Sequence, residues 1–294
     1  MSTLFDTNSM KINRATPDKH KYLAPLVHIA RPPQTVFYSG VLPEQRRPTI
    51  AIVGTRRPSR YGQEVTQMFA TELARQGIIV VSGLALGVDA IAHRAALEAR
   101  GTTIAVLGNG LPTIYPSSHR HLAHEIITNG GALISEYEPE TPARNYRFLE
   151  RNRTVSGIAD AIIITEAAAR SGTLNTTMHA LEQGKEVFVV PGNITSPLSA
   201  GCNALLRQGA TPAMHADDIL NVIAPDITTT QPQLPLGTTA EETTIIQLIQ
   251  SGIRDGDELQ RASGITASTF STTLTMLELA GTIRSLGSNQ WTLR

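Results

Sequence analysis

Residues 49–54, Thr-Ile-Ala-Ile-Val-Gly, run directly into Thr-Arg-Arg-Pro-Ser-Arg-Tyr-Gly (55–62), and this junction decides the fold. Consecutive apolar, β-branched residues suit a strand covered on both faces. The glycine and polar residues behind them suit a turn entering a helix. The same unit recurs as IIVVSG (78–83), TIAVLG (103–108), ALISEY (132–137), AIIITE (161–166) and EVFVVPG (186–192). Helical patterns lie between these runs at about 62–76, 87–99, 117–129, 147–158 and 174–184, with two more near 199–208 and 216–223. Gly77, Gly101, Gly130 and Gly184 stop four of them. The alternation predicts an α/β domain over residues 41–224, a Rossmann-like and mostly parallel sheet with helices on both faces.

The flanks read differently. Residues 1–40 are polar and then proline-punctuated, and two readings stand for this short extension: a small helical cap or a partly ordered arm. Residues 225–239, PDITTTQPQLPLGTT, combine proline and threonine without a helical period and predict a linker. Beyond it, three helical patterns and the hairpin-like TIRSLGSNQWTL predict a small winged-helix domain over 240–294.

The chain has 294 residues, 41% of them hydrophobic, enough for one large domain and one small one. One cysteine, Cys202, can form no internal disulfide and supplies no metal-ligand set, so it reads as a small packing residue in a reducing compartment. No apolar run approaches the roughly 20 residues a bilayer span needs, and the first residues lack an apolar signal core. The expectation is a cytoplasmic protein that does not contact the membrane.

Net charge is zero, so any pull toward nucleic acid must come from where charges lie. Between Gln45 and Gln63 stand Arg46, Arg47, Arg56, Arg57 and Arg60 with no acid. Residues 141–153 hold Arg144, Arg147, Arg151 and Arg153 against Glu150 alone.

In a parallel sheet, ligands bind outside the carboxyl ends of the strands, where three turns stand out. They run Gly54 to Gly62, Ser82 to Asp89 and Ala169 to Asn175. Each enters a helix whose N–H groups and dipole can hold a phosphate, with glycine allowing close approach. A glycine after a strand is also ordinary strand-to-helix geometry. Arg56, Arg57 and Arg60 inside the first turn favour an anion track, since guanidinium groups suit phosphodiester oxygens. Residues 144–153 interleave Tyr146 and Phe148 with four arginines. One reading is a single-strand binding element, with bases stacked on the rings at about 1–3 kcal/mol each. The other is an amphipathic helix with Phe148 in the core. Crowding near the rim favours the first.

Other residues carry less. His119, His121 and His124 match no common zinc spacing, and no metal or cofactor is expected. Asp89 reads as a helix cap or first-turn dipole partner. Glu136, Asp160 and Glu166 have no partner carboxylate in sequence. Neither GxxxxGK[ST] nor GxGxxG occurs, and no catalytic set is visible, so the rim reads as built to bind.

These blocks closely resemble the DprA (Smf) family of DNA-processing proteins. The marks are AIVGTRRPSRYG (51–62), VVSGLALGVDAIAHRAAL (80–97), AVLGNGLPTIYP (105–116), FLERNRTVSGIADAIIITEA (148–167), SGTLNTTMHALEQGKEVFVVPG (171–192) and SAGCNALLRQGA (199–210). The resemblance covers roughly 22–220 and the winged helix. It implies a dimerising Rossmann-like core that binds single-stranded DNA and helps load RecA recombinase in natural transformation. By position it implies contacts from Gly54, Thr55, Arg56, Tyr61, Ser82, Gly83, Phe148, Arg151, Asn152, Arg153, Ser171, Gly172 and Thr173. Arg57, Arg60, Arg144, Tyr146 and Arg147 join them on charge and aromatic grounds. Many members carry a helical SAM-like N-terminal domain for which the first 35 or so residues are too few.

Residues 240–294 hold six acids and four arginines, and their presumed recognition helix has no lysine or arginine. Such a helix is a poor reader of duplex DNA, and a protein-contact or regulatory role is expected. The rival reading is a nucleotide-binding or LOG-like phosphoribohydrolase enzyme, a resemblance that fails where Thr176 occupies the position of that motif's glutamate.

Overall fold

The computed structural model describes residues 10–228, 239–287 and 289–293. The chain divides into two compact units, 1–228 and 229–294. In the larger, the elements run β1 (Asn13–Ala15), β2 (Val36–Gly40), β3 (Thr49–Val53), α1 (Arg60–Arg75), β4 (Ile79–Ser82), α2 (Val88–Glu98), β5 (Thr103–Leu107) and α3 (Arg120–Thr128). They continue with β6 (Ala132–Ser135), α4 (Asn145–Ile158), β7 (Ala161–Ile164), α5 (Thr173–Glu182), β8 (Glu186–Val189), α6 (Ala200–Arg207), β9 (Thr211–Pro212), α7 (Ala216–Ile223) and α8 (Pro225–Thr228). The nine strands form one sheet in the order β1-β2-β6-β5-β4-β3-β7-β8-β9. From β6 to β9 all pairings are parallel, while β2 joins β6, and β1 joins β2, antiparallel.

Alternate residues of each strand face opposite layers, which explains the unbroken apolar runs. Ala51, Val53, Val81, Val106 and Ile164 pack on one face with Val155 and Ile158 of α4, Ala180 of α5 and Leu205 of α6. Ile50, Ile52, Val80, Ile163 and Phe188 pack on the other with Phe69 and Leu73 of α1, Ala92 of α2 and Ile219 of α7. Leu122 and Ile126 of α3 cover Leu107 and Leu133 near the β2 edge.

Residues 13–40 are no separate extension. They supply two edge strands, and the turn between these strands buries Tyr22, Leu23 and Leu26 in the same core as α4. Burial of the two leucines alone contributes roughly 3–6 kcal/mol, which ties the segment to the sheet. Residues 1–9 lie outside the described residues. Of the expected linker, 225–228 form a helical turn, while 229–238 lie outside the described residues.

The smaller unit contains α9 (Ala240–Gln250), α10 (Gly256–Ser263), α11 (Ala267–Leu279) and the hairpin β10 (Ile283–Gly287) and β11 (Gln290–Leu293), a winged helix. Side chains of Thr239, Asp255 and Thr266 cap the three helices. Ile245, Ile249, Leu259, Phe270, Leu274 and Ile283 form its core. Among the described residues, no helix is long and apolar enough to cross a membrane.

Candidate functional site

From β3 the chain winds outward through β4, β5 and β6, then returns to lay β7 on the other side of β3. The strand order therefore reverses between β3 and β7, where loops diverge and leave a crevice at the carboxyl edge. A cavity of about 450 Å³ opens there. Its wall includes Gly54, Thr55 and Arg56 after β3, Gly83 and Ala85 after β4, and Arg170, Ser171, Gly172 and Thr173 at the start of α5. Phe148, Arg151 and Asn152 of α4 close the remaining side.

The loop between β3 and α1 is held from below by Glu166 at the end of β7. The Glu166 carboxylate accepts hydrogen bonds from the Ser59 amide at 2.8 Å and the Ser59 hydroxyl at 2.6 Å, and its carbonyl accepts one from the Thr55 amide at 2.8 Å. A Cβ on Gly54 or Gly62 would collide with Glu166 or with Val88. Arg56, Arg57 and Arg60 project from this anchored loop and are exposed.

The amide-based part of the expected anion track needs correction. Asp89 accepts from the Gly83 and Ala85 amides at 3.1 and 3.3 Å, Ser171 Oγ accepts from the Thr173 amide, and Glu166 takes those of Thr55 and Ser59. These donors are committed within the protein, so cationic side chains dominate the wall. Gly172 lies on the cavity wall. Its φ is −60°, and a Cβ there would meet nothing within 4 Å, so the fold does not require glycine and the space opens on the cavity.

The arginine clusters divide. Arg46 pairs with Asp160 at 2.5 Å and Arg47 donates to the Gly77 carbonyl, both before their strands begin and hence on the edge opposite the cavity. Arg151 is buried, 5% exposed. Its guanidinium donates to the carbonyls of Gly83, at 2.8 Å, and Val106. Desolvation lowers the guanidinium pKa and raises that of Asp89, each opposed by the charge of the other. Arg151 is thus a strut beneath the cavity, not a mobile rim cation. Arg153 leaves the cavity altogether: it ion-pairs with Glu136, donates to the Arg31 carbonyl, and lines a separate hollow. Ser82 is fully buried and donates to the Ile52 carbonyl at 2.6 Å, so it offers nothing to a ligand.

Arg144 lies exposed just before α4. Arg147 lies over the rings of Tyr137 and Tyr146, at 5.5 and 5.3 Å, and donates to the Pro142 carbonyl. None of these lines the cavity, nor do Arg57 and Arg60. Tyr61 donates to the Pro191 carbonyl at 2.6 Å and borders a neighbouring groove. The histidines are structural where they are buried: His119 bonds to the Leu84 carbonyl, and His121 is exposed beside Glu125. Among the described residues, no group of acidic, histidine or cysteine side chains could hold a metal. Glu136, Asp160 and Glu166 each serve a structural partner.

Two site residues escape the sequence reading. Arg170, inside the third turn, is exposed and on the wall of the cavity. Tyr115, in the loop after β5, stacks on Phe148 with ring centroids 5.1 Å apart.

The model of the family described as DNA recombination-mediator protein A matches residues 13–224, and that of the DprA winged helix domain matches 229–289. Protein Smf of Escherichia coli is 44% identical over 188 residues, covering 64% of this chain and 50% of that protein. DNA processing protein DprA of Bacillus subtilis is 40% identical over 197 residues, covering 66% and 65%. The match thus spans between half and two thirds of these relatives' length. Among solved structures, DprA of Streptococcus pneumoniae superposes with TM-score 0.66 at 33% identity, covering 74% of this chain and 76% of that one. DprA of Helicobacter pylori gives 0.66 at 31%, covering 74% and 98%. With both the sheet-bearing unit and the winged helix matched by family models, this chain belongs to the DprA family of DNA recombination mediators.

Proposed function

We propose that this protein binds single-stranded DNA along the carboxyl edge of its sheet, in the cytoplasm, and serves recombination by passing the strand to a RecA recombinase during transformation. One observation carries the reading: the switch-point cavity gathers Arg56, Arg170 and the open space at Gly172 beside the ring of Phe148. Guanidinium groups meet phosphodiester oxygens, and an aromatic face meets unpaired bases. The Helicobacter pylori relative, whose solved structure describes a single-stranded DNA binding mode, supports it. The Rossmann-like unit is the expected site of self-association into a homodimer, and the winged helix is expected to contact protein.

The chemistry of the wall favours binding over catalysis. Among its described residues Asp89 is the one carboxylate, and it accepts hydrogen bonds from two backbone amides. Thr176 offers no acid where the phosphoribohydrolase motif has glutamate. An anisotropy titration of single-stranded and duplex DNA at two salt concentrations tests the proposal. Single strands should bind more tightly, with affinity falling steeply as salt rises. Equal affinity for duplex, or release of base from nucleoside monophosphates, would overturn it.

A further inference from the structure

The carboxyl edge of the sheet carries cations at a second place, far from the switch point. Both β1 and β6 run antiparallel to β2, so β1 ends on the same edge as the strands around the cavity. Five strand spacings separate β1 from β3, roughly 24 Å at about 4.8 Å each. Beside the end of β1 lies a hollow of about 410 Å³ lined by Arg14, Ala15, Thr16, Lys19, His20 and Thr35. It shares no residue with the switch-point cavity. Residues 11–21 hold Lys11, Arg14, Lys19 and Lys21 against Asp18 alone, in a chain whose net charge is zero. Arg14 and Lys19 are exposed, and among the described residues neither side chain has an ion-pair or hydrogen-bond partner. The ring nitrogen Nδ1 of His20 is closed to solvent, also without a hydrogen-bond partner among the described residues. Between the two places stands β6, and the loop that leaves it at this edge carries the exposed Arg144.

We propose that this hollow is a second phosphate site, which holds the backbone of a bound single strand after the strand leaves the switch-point cavity along the same edge. The inference rests on the single-strand reading above and extends it from one site to a track. A guanidinium, an ammonium, an imidazole and two hydroxyls line the hollow, and all of them suit phosphodiester oxygens. No acid lines it, nor any phenylalanine, tyrosine or tryptophan on which a base would stack, so it attracts the backbone alone. A strand already held in the cavity presents its next phosphates to the hollow at high effective concentration, so a few cationic contacts suffice there. Basic residues on an edge strand also deter pairing with another sheet. That role asks for charge on β1 itself, whereas Lys19 and His20 lie beyond its end, around the hollow.

The test titrates a single-stranded 20-mer of mixed sequence with the full chain at several salt concentrations. It compares the wild type with Arg14→Ala/Lys19→Ala, with the charge-conserving Arg14→Lys/Lys19→Arg, and with Arg75→Ala/Arg94→Ala, whose arginines are exposed outside both hollows. The first pair should weaken binding severalfold and lower the salt slope by about 1.4, or about 0.7 for each of two phosphates released. The charge-conserving pair and the outside pair should keep the wild-type slope. Combining Arg14→Ala/Lys19→Ala with Arg56→Ala should add the two losses of slope, because the sites share no residue. In a separate readout, the bound strand should protect Lys19 from acetylation, measured by mass spectrometry of the digested protein. An unchanged slope in the first pair, an equal fall in the outside pair, or full acetylation of Lys19 under bound strand overturns the second site while leaving single-strand binding in place. Failure of the wild type to bind the strand overturns the underlying reading as well.

Discussion

Replacing Arg151 with methionine separates a structural strut from a DNA contact. The side chain crosses from α4 to the carbonyls of Gly83 and Val106 and lies beside Asp89, fully inside the protein. Methionine fills similar volume but leaves two carbonyls without this donor and removes a positive charge whose field favours the buried Asp89 carboxylate. Leaving a buried hydrogen-bonding group without its partner costs about 1–3 kcal/mol, and two carbonyls lose this donor; together these are a large share of the roughly 5–15 kcal/mol that holds a domain together. At about 2–4 °C per kcal/mol for a unit of this size, the midpoint should fall by on the order of 10 °C. The loss should be greatest near neutral pH. Asp89, whose pKa is already raised by burial, rises further without Arg151, so the penalty shrinks as pH falls toward the unfolded value near 4. Urea unfolding followed by far-ultraviolet circular dichroism is the assay, because Trp291, the one tryptophan, lies in the winged helix and reports the wrong unit. Pairing the change with Asp89→Asn should recover part of the loss, with a coupling of about 0.5–3 kcal/mol. A loss below about 1 kcal/mol in the single variant would refute the strut.

Arg56→Ala and Arg170→Ala should each weaken strands of unrelated sequence alike and lower the salt slope by about one, measured by anisotropy at several salt concentrations. Arg153→Ala, tied to Glu136 outside the cavity, should change affinity less than twofold in the same titration. Gly172→Ala should unfold within about 0.5 kcal/mol of the wild type yet bind strands severalfold more weakly, since only a ligand would meet the added methyl. His93 is fully buried, and desolvation with neighbouring cations holds its pKa down at about 3. The unfolded chain therefore takes up a proton that the folded chain refuses. Its contribution is complete above about pH 6.5 and is lost as pH falls, by up to about 1.4 kcal/mol per unit; His93→Gln should flatten the urea-midpoint profile between pH 6.5 and 4. Removing residues 229–294 should leave single-strand affinity within threefold.

Strand order aside, the sheet was legible because its residues are apolar on both faces, a pattern that few other structures tolerate. The edge strands were not. Val36–Gly40 is short and follows Pro32 and Pro33, and its antiparallel pairing with β6 depends on a partner almost a hundred residues away. The charge clusters misled for a geometric reason. Arg47 and Arg56 flank a strand of five residues, roughly 17 Å long, and so occupy opposite edges. Arg151 and Arg153 are two positions apart on a helix, about 200° around its axis, and cannot share one surface. Phe148, Arg151 and Val155 repeat at helical spacing, a signal that could have assigned Arg151 to the inner stripe. Nothing in sequence joins Tyr115 to Phe148, because the contact brings the loop after β5 against helix α4, more than thirty residues on.

The carboxylate of Glu166 gives the neighbouring loop a property beyond its position. A buried acid beneath a cationic rim subtracts from the local field, yet this one fastens the Ser59 end of the loop, while the carbonyl of the same residue holds the Thr55 end, before any strand arrives. Capture then requires little ordering of the protein, so association should run close to the pace of electrostatic encounter. Dissociation should respond promptly to competing ions, with no refolding step to delay it. A stencil of this kind can take up a filament, hold it briefly and surrender it intact.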